Sequence, residues 1–222
     1  MKMTHKDINM QIELDYLHGT ELIIESEKLF YKYVYELRNG ENGADCDFVI
    51  SDDDKIISVN KCMHVMLEPI SLDLNQKSFI SKLYAKLSKE AYNEKNFLDT
   101  QNIASKIKEY ITNLDFDSDI MLDVEDEIDV NSIFKASGVK IYAYSDDMLG
   151  NIVNYIKLSN NLLGKTIFVF VNFRSYLSKA EITKLIYELS YYNIYILFIE
   201  GSENDCIPDM KRYIIDKDNC EI

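Results

Sequence analysis

Two short runs in the last third of the chain leave little freedom in what it folds into. Residues 167–171 read Ile-Phe-Val-Phe-Val and residues 194–199 read Ile-Tyr-Ile-Leu-Phe-Ile, apolar at almost every position. Runs of this length without polar alternation are strands buried on both faces. Between them, Ser178 and Glu181 stand three apart ahead of Ile182, Leu185, Ile186 and Leu189, the capping-box pattern of a helix with one apolar face. Strand, helix and strand in this order, with both strands apolar throughout, indicate a parallel sheet covered by helices on both sides. The expected fold class is α/β.

The rest of the chain reads in the same way, with one interruption. Residues 10–25 alternate around Gly19 and predict two short strands, and Ser26 is placed to cap a helix over 27–38 that Asn39 and Gly40 would stop. Extended segments are expected at Phe48–Ile50 and Ile56–Val59, joined by a turn at Asp52, Asp53 and Asp54. Then Phe79, Leu83 and Leu87 recur at i, i+4, i+8, and Ile103, Ile107, Tyr110, Ile111 and Leu114 mark a second helix, capped by Asp99 or Thr100. Two consecutive amphipathic helices imply an inserted αα hairpin. Beyond it, Asp129 caps a helix over Val130–Ser137, Val139–Tyr144 reads as a strand, and Ser145 caps a helix carrying Leu149, Ile152, Val153 and Ile156.

With 222 residues, 47% of them hydrophobic, the chain can bury a sizeable core and is not a disordered segment. Its four cysteines form no C-x-x-C pair, which suits reduced thiols in a cytosol. No apolar run is long enough to span a bilayer and none resembles a signal peptide, so a soluble, cytoplasmic protein is expected. The formal net charge of −14 would oppose nucleic acid and anionic membranes if it were spread evenly.

It is not spread evenly. Residues 115–129 hold eight carboxylates (Asp115, Asp117, Asp119, Asp123, Glu125, Asp126, Glu127 and Asp129) and no Lys or Arg, whereas residues 61–114 carry eight lysines against six acids. Folding so many like charges together costs stability unless cations neutralise them. Calcium, which takes several oxygen ligands in flexible geometry, suits such a segment better than magnesium. Asp115, Asp117 and Asp119 open like an EF-hand loop, but Ile120 stands where that loop needs glycine and Asp126 where it needs glutamate. An acidic connector without any ion is the alternative, against which Leu122, Val124, Ile128 and Val130 favour an ordered segment.

Other motifs fail on inspection. Gly164, Lys165 and Thr166 end like a P-loop, but Ser159 replaces its first glycine and a strand follows where a helix is required. The three histidines, His5, His18 and His64, are isolated in sequence. Asp53, Asp54 and Lys55, with Asp45 or Asp47 as an earlier acid, match the D-x-K of metal-dependent nucleases, a pattern short enough to arise in any solvated turn.

Three longer segments carry a resemblance. Residues 72–90 (LDLNQKSFISKLYAKLSKE), the acidic LDVEDEI ahead of SIFKASGVKI, and FVNFRSYLSKAEITKLIYELSYYNIYILFIE from Phe170 to Glu200 resemble the spacer-acquisition accessory proteins of type II-A CRISPR systems, in their order and spacing over about Leu67 to Ile199. That resemblance implies an α/β head related to P-loop ATPases without a nucleotide site, formed by 1–66 and 130–222, and a helical leg at 67–129. It implies a non-enzymatic homotetrameric ring that threads double-stranded DNA ends, works with other spacer-acquisition proteins and holds calcium near the joint of head and leg. The matching calcium ligands are Asp123, Glu125, Asp126 and Glu127; the matching DNA-contacting lysines are Lys135 and Lys140, with Lys82, Lys86 and Lys89 as a second patch. A metal-dependent nuclease and an acidic protein-interaction adaptor are the rival expectations.

Overall fold

The computed structural model describes residues 1–53, 55–114, 124–125, 127–142 and 145–222. In chain order the elements are β1 (Lys2–His5), β2 (Ile8–Glu13), β3 (Thr20–Ile24), α1 (Glu27–Glu41), β4 (Phe48–Asp52), β5 (Lys55–Ile57), α2 (Val59–Cys62), β6 (Met63–Met66), α3 (Lys77–Ala91), α4 (Phe97–Thr112), α5 (Val130–Ala136), α6 (Met148–Leu163), β7 (Ile167–Val171), α7 (Lys179–Ser190), β8 (Tyr195–Glu200) and β9 (Lys211–Ile215). They form two compact units, Met1–Leu74 with Ala143–Ile222, and Asn75–Tyr142.

The first unit holds two sheets. One is antiparallel, in the order β2-β1-β4-β5; the other is parallel, in the order β6-β7-β8-β3-β9. The fold is therefore α/β around a five-stranded parallel sheet. Strand β7 is buried at every residue, and its side chains divide between two layers. Ile167, Val169 and Val171 join Leu22, Ile24, Leu197 and Ile199 in a core that also takes Met3, Ile12, Phe48 and Ile50 from the antiparallel sheet and Tyr33 and Leu37 from α1. On the other face, Phe170 stacks with Phe173 and Phe198 at centroid distances of 4.5 and 5.3 Å. The capping box of α7 forms as the spacing requires: Ser178 N–H donates to Glu181 Oε2 at 2.8 Å, and Glu181 N–H donates to Ser178 Oγ at 3.3 Å.

Several local expectations are corrected. Helix α1 runs past Asn39 and Gly40 to Glu41, and Gly40 sits against Cys46, where a Cβ would approach the Cys46 side chain to 2.8 Å; this glycine serves close packing. Helix α6 is capped by Asp147, which accepts the Gly150 N–H at 2.6 Å, instead of by Ser145. Helix α4 starts at Phe97 with Asn96 in the N-cap position, and the Thr100 hydroxyl donates to the Ala91 carbonyl at 2.8 Å, tying the start of α4 to the end of α3. Residues 139–142 form no strand. Ile141 gives its N–H to Asn75 Oδ1 at 2.8 Å and receives Asn75 Nδ2–H on its carbonyl at 3.2 Å, so one side-chain amide takes the backbone bonds that a ladder would need. The resemblance puts the helical part at 67–129; the second compact unit runs from Asn75 to Tyr142, with α5 packed on α3 through Tyr84 and Phe134.

Charged side chains seal weak points of the parallel sheet. At the outer edge of β6, Glu41 Oε2 accepts the Val65 N–H at 3.2 Å and Arg38 Nη1 donates to the Val65 carbonyl at the same distance, so the two side chains stand in for a sixth strand. The other oxygen of Glu41 is 2.5 Å from His64 Nδ1, and Tyr155 Oη lies 3.1 Å from His64 Nε2. Burial raises the Glu41 pKa, but the bonds to His64, Arg38 and Val65 outweigh it and hold the carboxyl below its ordinary range. Truncating Glu41→Ala orphans a partly buried N–H and an imidazole, and should lower stability by about 3 kcal/mol. An unfolding free energy from urea titration within about 0.5 kcal/mol of wild type would contradict this.

Under the sheet, Glu21 is buried on the interior strand β3, with Arg212 Nε 2.7 Å from Oε2 and Arg174 Nε 3.4 Å from Oε1, close enough for charge but not aligned as a hydrogen bond. Glu200, also buried, accepts the Arg174 N–H at 3.1 Å. Burial, reinforced by the nearby Glu21 charge, pushes the Glu200 carboxyl up to about 7. The folded state thus keeps a proton that the unfolded chain releases near its ordinary value of 4.5. The stabilisation is complete below the unfolded value and is lost as pH rises through about 7, a change of about 3 kcal/mol. Glu200→Gln keeps the oxygen acceptor and removes the titration. Thermal unfolding should show the variant close to wild type at acid pH and more stable above neutrality; a pH-independent difference would refute the assignment.

Candidate nucleic-acid interface

Helix α3 presents Lys77, Lys82, Lys86 and Lys89 at exposed positions. Lys82, Lys86 and Lys89 follow one helical stripe, at i, i+4 and i+7. Lys77, Ser81, Tyr84 and Ser88 follow a second, and this stripe meets α5. Ser88 Oγ donates to Asn131 Oδ1 at 2.8 Å, and Tyr84 Oη donates to the Val139 carbonyl at 3.1 Å. Between the helices lies a groove of about 550 Å³ lined by Lys77, Ser81, Tyr84, Asp129, Asn131 and Lys135, the Asp129 carboxylate being engaged in capping α5. Two ammonium groups, hydroxyls and a side-chain amide around one groove form a surface that accepts phosphate oxygens.

Lys135 is therefore brought into a groove, and its companion there is Lys77, which periodicity and resemblance both pass over. The signal for Lys77 was present in the Lys77–Ser81–Tyr84–Ser88 spacing, polar on a helix otherwise marked by its apolar stripe. Lys140 is exposed but does not line this groove. Outside residues 115–129, the unit from Asn75 to Tyr142 has nine lysines against four acids, while the unit formed by 1–74 and 143–222 has 26 acids against 15 lysines and arginines. The net acidity of the chain therefore resides mostly in the unit that lacks the groove.

Of the four expected calcium ligands, Asp123 and Asp126 lie outside the described residues, as do Asp115, Asp117 and Asp119. Glu125 and Glu127 are exposed, and neither makes an ion pair among the described residues. Both offer carboxylate oxygens, the ligand chemistry that a hard divalent cation such as calcium takes. Asp129 is committed elsewhere. It caps α5, accepting from Asn131 N–H at 3.1 Å, Ser132 N–H at 3.2 Å and the Ser132 hydroxyl at 3.0 Å, and these bonds, Asn131 first, hold its carboxyl below the usual range.

The remaining candidate chemistry is occupied by structure. His5, Glu36 and Asp47 bring ligand atoms within 4.8 Å of one another, yet their hydrogen bonds already close the group. His5 Nδ1 accepts the Asp7 N–H at 3.1 Å, so its proton resides on Nε2, directed at Glu36 Oε2 at 3.2 Å. Asp47 is paired with Lys6. A metal on Nε2 would require the other tautomer, which would set two donors against each other at Asp7. Of the nuclease pattern, Asp47 is engaged in this way, Asp53 sits in the hairpin turn between β4 and β5 with φ 41°, and Asp54 is outside the described residues. The P-loop remnant is structural as well. Gly164 ends α6 in the left-handed conformation, and Lys165 Nζ donates to the carbonyls of Asn60 and Met63, each at 2.7 Å. Among the described residues, no helix is long and apolar enough to cross a membrane.

Comparison with known proteins agrees with the three segments singled out above. Residues 41–219 match the family model described as CRISPR-associated protein (Cas_Csn2). A CRISPR-associated protein Csn2 from Streptococcus agalactiae is 30% identical over 170 residues, which cover 75% of this chain and 74% of the relative. Another, from Enterococcus faecalis, is 29% identical over 93 residues, 42% of this chain and 41% of that protein. The chain belongs to the Csn2 family of CRISPR-associated proteins.

Proposed function

We propose that this CRISPR-associated protein is a non-enzymatic, cytoplasmic binder of double-stranded DNA ends, assembled as a homotetramer and dependent on calcium, that acts with other proteins of spacer acquisition. The observation that carries the reading is the groove shared by Lys77 and Lys135 in a helical unit whose lysines outnumber its acids once residues 115–129 are set aside. Ammonium groups neutralise phosphates without reading bases, so binding is independent of sequence and sensitive to salt. The surface of α4 supports assembly: Ile103 and Tyr110, seven residues apart on one stripe, are 51% and 68% exposed on a helix with no buried residue, an apolar face suited to a second copy.

Calcium, when bound, would be held by Glu125 and Glu127 with Asp123 and Asp126, and would supply positive charge to an acidic segment that leads directly into α5 and its groove. These carboxylates otherwise repel phosphate. Their role is to accept the cation, and that of Lys77 and Lys135 is to contact the duplex.

Gel-shift titrations of a linear duplex test the lysines. Lys77→Ala with Lys135→Ala should weaken binding roughly tenfold or more and flatten the dependence of log affinity on log salt by about one unit for each phosphate no longer neutralised. Unchanged affinity and slope would remove the groove from the interface, and cleavage of the duplex in magnesium or manganese would overturn the non-enzymatic reading in favour of a nuclease. The metal is tested separately. Glu125→Gln with Glu127→Gln should abolish the rise in melting temperature on adding calcium and weaken duplex binding, with no effect when calcium is chelated in both proteins. Equal calcium responses in variant and wild type would exclude these ligands.

A further inference from the structure

The four edges of the two sheets are not treated alike. Among the described residues, three are closed by named groups. The β6 edge is taken by Arg38 and Glu41, as described above. On β9, Ile214 and Ile222 exchange backbone hydrogen bonds at 3.0 and 2.9 Å. On β2, the Glu221 carboxylate accepts the Asn9 and Met10 N–H groups at 2.8 and 2.6 Å. The fourth edge is β5, and no group among the described residues covers it.

The chemistry of that edge is specific. Asp52 pairs with Lys55 across the hairpin, followed by Ser51 with Ile56. In a hairpin closed by two linking residues, the closing pair is hydrogen-bonded and the next pair is not, so Ile56 turns both its N–H and its carbonyl away from β4. Its side chain is 77% exposed. With Val49 it lines a groove of about 360 Å³, and Asp45 links this groove to a second one bearing Tyr31 and Tyr35, whose rings stack at 5.6 Å. Neither Asp45 nor Asp53 makes an ion pair among the described residues.

We propose that the β5 edge is a docking site for an extended, basic segment of a partner protein, which adds to the antiparallel sheet as its fifth strand. Ile56 supplies the central backbone donor and acceptor, alternate apolar residues of the segment enter the groove beside Val49, and its cations meet Asp45 and Asp53 with Tyr31 and Tyr35 as aromatic faces. Charge selects this occupant. The unit that carries β5 has 26 acids against 15 lysines and arginines, which repels nucleic acid and acidic segments. A second copy would bring the same carboxylates against themselves. The site is separate from the lysine groove, and its test is independent of DNA binding.

The probe is a labelled synthetic peptide alternating arginine and valine, titrated into the full chain and followed by fluorescence anisotropy, with amide exchange read at Ile56 by NMR. Binding with protection of the Ile56 amide is expected. Ile56→Pro deletes the outward donor without breaking a bond to β4, and Ile56→Val keeps that donor and most of the side chain, so thermal unfolding of both should be close to wild type while affinity for the peptide falls roughly tenfold, equivalent to about 1.4 kcal/mol, in the proline variant alone. Absence of binding, equal binding by the proline variant, or binding without protection at Ile56 would overturn the proposal. Protection that grows with protein concentration in the absence of peptide would also overturn it, because the edge would then serve self-association.

Discussion

Adjacent parallel strands cannot be joined by a tight turn, and this constraint organises the chain. Strands β6 and β7 pair in parallel from Met63–Ile167 to Met66–Phe170, so the connection between them must leave one end of the sheet and return to the other. The connection contains α3, α4, α5 and α6. Because loop-closure entropy grows only with the logarithm of length, each doubling costs about 0.6 kcal/mol, and a whole helical unit can occupy a crossover without disturbing the strands on either side. The surface proposed to meet DNA is thus carried by a part of the chain that the sheet requires only as a connection.

The division of labour between the two units is electrostatic as much as structural. The sheet unit keeps most of the acids, and it buries some of them where they hold structure together: Glu21 between two arginines, and Glu41 at the β6 edge. Each is a charge in a site of low dielectric, costly alone and tolerable because it has partners. The helical unit keeps lysines at its surface, where a polyanion can reach them. A net charge of −14 averages over these two regions and describes neither.

What the sequence revealed was the part of the fold written in local contacts. β7, β8 and α7 were legible because their burial and capping depend on residues within a few positions of one another. β6 was not, because a short Met-His-Val-Met strand owes its place to α1 side chains far away in sequence. The strand expected at Val139–Tyr144 had the right composition, but over its described residues, 139–142, none forms, and Asn75 claims the backbone of Ile141 from sixty-six residues away. Site residues followed the same rule. Lys135 was named by resemblance, whereas Lys77, although its polar stripe is visible in the spacing, joins it in one groove only because α5 lies against α3. The acidic stretch was the clearest feature of the sequence, and the part of it within the described residues sorts into an N-cap, Asp129, and two free carboxylates, a distinction that charge counting cannot make.

Asn75 also closes the helical unit on itself. By holding both backbone groups of Ile141, it fastens the first residue of that unit to a residue beside its last, so the place where the chain leaves and the place where it comes back are pinned together inside the unit. One side-chain amide thereby brackets the sequence of the whole unit. Over evolutionary time such a segment can lengthen, shorten or change its charge while the parallel strands on either side keep their register, which leaves the surface proposed to meet DNA free to change without the sheet.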